Sequence, residues 1–99
     1  MTFTPDGLNP ALAEKFQQIR TTFIAGLANR EVEIAEALSR EHLSAVLHRL
    51  VGAAGAFGFE DLSQLARVAM ESSHDDDEVH VKQNLVRLVR AMTTIRGAG

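Results

Sequence analysis

Both prolines, Pro5 and Pro10, fall within the first ten residues. From residue 11 onward every position keeps its backbone donor, so no proline interrupts a helix. The same stretch is dominated by Ala, Leu, Glu, Gln and Arg, all good helix formers. Alternating β-branched residues, the mark of strands, are nearly absent. The chain is therefore expected to be all-α.

The apolar spacing divides it into four helices. Asn9 suits an N-cap and Pro10 a first helical position. Leu12, Phe16, Ile19, Phe23 and Leu27 recur every three or four residues and share one face. The pattern runs on through Ile34 and Leu38. Ala28-Asn29-Arg30 is a possible turn, but no strong breaker stands there, so one long helix is expected. Ser39 is the next cap, opening a helix at Arg40 with Leu43, Leu47, Leu50, Ala54 and Phe57 inward and an end at Gly58. A third helix follows from about Glu60, with Leu62, Leu65, Ala66 and Ala69 inward. The acidic run Asp75 to Glu78 suits a loop leading into a helix N-terminus. The last helix buries Val81, Leu85, Leu88, Met92 and Ile95, with Val89 beside them, and frays at Gly97-Ala98-Gly99. Four amphipathic helices with short connections predict an antiparallel up-down bundle.

Composition removes many functions. The chain has 99 residues, 45% of them hydrophobic. That is enough for one domain over residues 1–99, its core lying at about 10–96. No apolar run approaches the roughly 18 residues of a membrane span, and no membrane association is expected. Met1 to Pro10 lacks the basic and apolar regions of a secretory leader. Without cysteine there is no disulfide, cysteine-zinc or thiol chemistry. Ten basic residues stand against 13 acidic ones, a net charge of −3, and all five aromatics are Phe. Neither the charge nor the aromatics suit a nucleic-acid binder. A cytoplasmic, free-standing monomer is expected.

Four histidines could carry chemistry: His42, His48, His74 and His80. None stands three or four residues from another, as a helical metal pair requires, so no metal site is expected. The acidic cluster Asp75-Asp76-Asp77 reads as a solvated loop. No Gly-Lys-Ser/Thr phosphate loop and no Gly-x-Ser-x-Gly elbow occurs. His48 differs from the others by its surroundings. One residue beyond core Leu47, it is turned about 100° toward the edge of the buried stripe. Ser44, Ala45, Gly52 and Gly55 stack along its line, and all are small. A glycine inside a helix costs about 1 kcal/mol relative to alanine. Gly52, one turn after His48, leaves open space beside the ring. Helix geometry alone leaves two readings: an imidazole open to a bulky partner, or a partly buried histidine beside a close-packing glycine.

The string His48-Arg49-Leu50-Val51-Gly52-Ala53-Ala54-Gly55-Ala56-Phe57-Gly58, followed by Leu62 and Leu65, resembles a known signature. It is that of the histidine-containing phosphotransfer (HPt) domain family: His-x-Leu-Lys-Gly, then small residues, a further glycine and a leucine-rich helix. His48, Leu50, Gly52, Ala54 and Gly58 carry the match. The helix pattern extends the resemblance from about residue 10 to 96. It implies a phosphorelay carrier rather than an enzyme, with His48 as phosphoacceptor. Its partner would be the receiver domain of a response regulator or hybrid histidine kinase. The receiver would supply the metal and most charge stabilisation, so no cofactor is expected here.

Ser44, Ala45, Arg49, Val51 and Gly52 would surround the phosphoacceptor and meet the receiver. The family's lysine is replaced by Val51, and the polar residue usual on the next helix aligns with Met70. Arg49 points about 100° away from His48; Arg67 and His74 are other candidate cations. Those two losses keep open a module that docks on a receiver or histidine kinase without being phosphorylated. A third possibility is an unrelated four-helix protein with His48 buried and hydrogen-bonded.

Overall fold

The computed structural model describes residues 10–98. They form an all-α bundle: α1 (Pro10–Ala25), α2 (Leu27–Ala35), α3 (Arg40–Ala56), α4 (Glu60–Ser72) and α5 (Glu78–Ala98). The cap expected at Asn9 lies outside the described residues, as does Gly99.

The expected first helix is broken at Gly26 and stops at Ala35, short of Leu38. Glycine is the weakest helix former after proline, and Gly26 N–H is shared between the carbonyls of Thr22 and Phe23, each 3.1 Å away. Arg30 N–H still reaches Gly26 O, so the interruption lasts a single residue. Ala28-Asn29-Arg30 is helical and not a turn. Leu38, expected on the buried stripe, is 93% exposed in the connection to α3.

The start of the stripe also departs from expectation. Leu12 and Phe16 are 49% and 51% exposed, while Phe23, Leu27 and Ile34 are buried. The described chain extends 56 Å but is only about 20 Å across. A 21-residue α5 accounts for roughly 31 Å of that length, so the outer half of α1 reaches past the end of the bundle. The inner end of α1 is anchored by aromatic packing. The Phe23 ring lies 5.3 Å from that of Phe57 and 5.2 Å from that of Phe59, and the Arg20 guanidinium sits 4.6 Å over Phe59.

Within the bundle α2 neighbours α3 and α5, and α4 neighbours α3 and α5. One core cluster joins Leu27 and Ile34, Leu43 to Ala54, Leu62 to Ala69, and Leu88 and Met92. The caps follow the sequence. Ser39 Oγ accepts from His42 N–H at 3.0 Å. α3 ends in a Schellman motif: Phe59 N–H donates to Ala54 O and Gly58 N–H to Gly55 O, with Gly58 at φ +83°. Asp77 Oδ1 accepts from the N–H groups of Val79 and His80 and caps α5. The acidic run is thus a helix entry.

Two ties fasten the elements. Arg96 Nε donates to Glu31 Oε2, and Thr93 Oγ1 donates to Glu31 Oε1, binding α5 to α2. Arg40 Nη1 donates to the carbonyls of Ser73 at 2.9 Å and Asp75 at 2.6 Å, binding the α4–α5 loop to α3.

Leu47→Ala, which empties a fully buried site, should cost about 2–5 kcal/mol in denaturant unfolding. Gly58→Ala should cost about 1–2 kcal/mol, because its backbone is left-handed. The Arg96 hydrogen bond holds the Glu31 carboxyl below the usual glutamate range. Its stabilisation is present above that range and is lost as pH falls through the lowered value. Wild type should exceed Glu31→Gln in stability at neutral pH, the difference disappearing in acid; unfolding curves at several pH values check this.

Candidate functional site

The position of His48 follows from how α3 buries its stripe. Leu43, Leu47, Leu50 and Ala54 face the core. At 3.6 residues per turn, Ser44, His48, Val51, Gly52 and Gly55 fall along one flank of the helix, with Arg49 on the other. Two contacts show that the first flank faces α4. Ser63 Oγ donates to Val51 O at 2.9 Å, and Ser44 Oγ lies 3.4 Å from His74 Nε2. Residue numbers fall from Val51 to Ser44 on α3 as they rise from Ser63 on α4 to His74 just past its end, so the two helices run antiparallel.

His48 is exposed and makes no hydrogen bond or ion pair among the described residues. Of the two geometric readings, the open imidazole is the one observed. Ala45 and Gly52 are also exposed, and Ser44 is half-buried. A Cβ built on Gly52 would meet nothing within 4 Å. The space beside the ring is real, and it opens to solvent instead of serving close helix packing. Gly55 instead faces α4, where an added Cβ would stand in ordinary contact, 3.5 Å from Ser63 Oγ.

The remaining candidates separate. Val51 is half-buried and packs on the core, leaving little of its side chain for a docking patch. Arg49 lies on the α2 flank, where its Nη2 is 3.3 Å from Glu33 Oε2. The structure therefore does not bring Arg49 to His48. An exposed pair of this kind contributes at most about 1 kcal/mol, so the guanidinium is readily freed. Met70 is half-buried against the core, and Arg67 is exposed with no hydrogen bond or ion pair among the described residues.

Sequence spacing missed the approach of His74 to Ser44, because the two stand 30 residues apart. The only hint was that an antiparallel α3–α4 pair with a short turn places the ends of such a span together. Asp75 Oδ2 pairs with His80 Nδ1 at 2.9 Å, and this hydrogen bond, with another from Asp77 N–H, holds the Asp75 carboxyl below its usual range. Those carboxylates are engaged in ordering the loop. Among the described residues no group of three or more His, Asp or Glu is placed to hold a metal ion, and no helix is long and apolar enough to cross a membrane. A groove of about 620 Å³ runs between α2 and α5, lined by Val32, Ile34, Leu85, Val86 and Val89, and does not include His48.

What the arrangement offers is one freely approachable imidazole on a rigid helix, flanked by small side chains. The neutral form of an imidazole presents an unprotonated ring nitrogen that can act as a nucleophile. A family model described as the Hpt domain matches residues 13–98. No curated protein and no solved structure matches the chain.

Gly52→Ala should stabilise the protein by roughly 0.5–1 kcal/mol, since the new methyl meets no obstruction and alanine favours the helix. Denaturant unfolding of the two proteins checks the sign; a loss of stability would mean that Gly52 is there for packing.

Proposed function

The chain belongs to the Hpt domain family, the phosphotransfer modules of two-component signalling, and on that premise we propose that His48 is its phosphoacceptor. The observation that carries this reading is an exposed, unpartnered His48 beside the open space at Gly52. In the proposed step an aspartyl phosphate on a receiver domain is presented to the ring. The unprotonated nitrogen attacks phosphorus in line with the leaving oxygen. The N–P bond forms as the P–O bond breaks, and the receiver's aspartate leaves as a carboxylate with the electron pair. The reverse step passes the group to a second receiver.

The burden is divided between the partners. The receiver and the metal it would hold would neutralise charge on the transferring group, so the bundle would need no cofactor of its own. Its contribution is positional. A side chain projecting from the middle of a packed helix needs little further ordering before reaction. Ser44, Ala45 and Gly52 keep the approach free of bulk, and Arg49 stands ready to exchange Glu33 for an acidic group on the receiver. This reading has one HPt-like unit acting as a cytoplasmic monomer. A second reading is favoured by one feature. Val51 and Met70, at the positions where the resemblance expects polar groups, are both packed inward. A bundle that docks on a receiver or histidine kinase without accepting phosphate would need neither polar group.

Incubation with a phosphorylated receiver should place acid-labile, base-stable phosphate on the wild type and none on His48→Gln, which should fold alike because His48 is exposed. Absence of label on the wild type across a receiver panel would favour the docking module. Gly52→Leu, which sets the incoming phosphoryl group back from the ring, should slow transfer by on the order of 100-fold. Val51→Lys should prolong the lifetime of the phosphohistidine.

A further inference from the structure

The phosphorylated carrier must hold a dianionic group on α3, where the residue one turn beyond His48 is the inward-packed Val51. The compensating charge has to come from another element. His48 stands between two contacts of α3: Val51 with Ser63 of α4 on one side, and Ser44 with His74 of the loop after α4 on the other. Helical side chains lean toward the N-terminus of their helix. His48 therefore leans toward Ser44 and away from Val51. Ser44 and His48, four residues apart, have Cβ atoms about 5–6 Å from one another. The His74 ring nitrogen lies 3.4 Å from the Ser44 hydroxyl. Two imidazoles thus adjoin the same serine.

The position of His74 is held from both sides. Arg40, at the start of α3, donates to the carbonyl of Ser73 before it and of Asp75 after it. Ser73 is fully buried. The Asp75 carboxylate, the nearest acid in sequence, is taken up by His80 and Asp77 N–H. The loop is clasped to the helix that carries the phosphoacceptor, and its one side chain directed at Ser44 is a protonatable ring.

We infer that His74 binds the phosphoryl group carried on His48, donating a charge-assisted hydrogen bond to a phosphoryl oxygen, with Ser44 as the positioning residue. This rests on the carrier reading of His48. The phosphoryl dianion favours the protonated form of a neighbouring imidazole, so the interaction strengthens when the group arrives. His74 takes no part in breaking or making the P–O and N–P bonds. It stabilises the loaded carrier against return of the group to the receiver. Arg67, one turn past Ser63 on α4, stands near the level of His48, but its side chain leans back toward Ser63 and the level of Val51.

The test compares wild type with His74→Asn, His74→Lys and Arg67→Gln in equilibrium with a phosphorylated receiver. His74→Asn keeps a polar group for Ser44 but no positive charge; His74→Lys keeps the charge. The share of phosphate on the carrier should fall about tenfold for His74→Asn, stay within about twofold for His74→Lys, and be unmoved in Arg67→Gln. In the wild type the His74 ring resonances should shift when phosphoramidate phosphorylates the protein, and should not in His48→Gln treated alike. An equilibrium unchanged in His74→Asn, or a loss seen in Arg67→Gln instead, overturns the assignment while leaving His48 as carrier. If neither receiver nor phosphoramidate loads the wild type, the carrier reading itself falls and takes this one with it.

Discussion

Ala54, Gly55, Ser63, Ala66 and Ala69 leave so little side chain between α3 and α4 that a serine hydroxyl of one helix bonds a backbone carbonyl of the other. Everything at the candidate site depends on this close approach. It fixes the rotation of α3, and with it the flank on which His48 emerges. It fixes the level of α4 at which the following loop returns, and so brings His74 beside Ser44. A large side chain at Gly55 or Ser63 would push the helices apart and shift both. The absence of bulk meets two different surroundings within one turn of α3: Ser63 beside Gly55, and open space beside Gly52.

The sequence made the helices of the bundle legible because the controlling signals are local. Ser39, Gly58 and the run before Glu78 announce caps and stops through the chemistry of a few adjacent atoms, and the structure uses Ser39 and Asp77 as caps and Gly58 in its left-handed turn. The inward positions of α3 and α4 follow from period alone. His48 was legible for the same reason: its neighbours along the helix line are small, whatever packs elsewhere. Apolar period could not reveal which stretch of a stripe is buried. Leu12 and Phe16 continue the pattern of Phe23 and Leu27, yet both stay about half exposed. Nor did period mark Asn84, which sits on the buried line between Val81 and Leu88 with its amide nitrogen unpaired among the described residues.

Long-range polar contacts were the least legible. Arg40 to Ser73 and Asp75, Arg96 to Glu31, and Ser44 to His74 join residues 30 or more positions apart. Charges of either sign are plentiful on this surface, and nothing in their types selects those pairs. They are decided by which helix ends meet, a property of the packed bundle. The same limit explains Arg49. Its place next to His48 in the chain suggested a shared role, but adjacent helical residues diverge by about 100°, and α2 supplies Glu33 on that side.

The break at Gly26 and the overhang of α1 bear on how the molecule comes apart. A short helix without tertiary cover is marginal in water. The turns around Leu12 and Phe16 take little stability from the core, whereas Phe23 and the residues after it are locked to the α3–α4 turn. Tertiary cover is thus unequal along this nearly continuous rod: thin at the outer turns of α1 and full from Phe23 onward. The aromatic anchor at Phe23 stands between those outer turns and α3, the helix that carries His48.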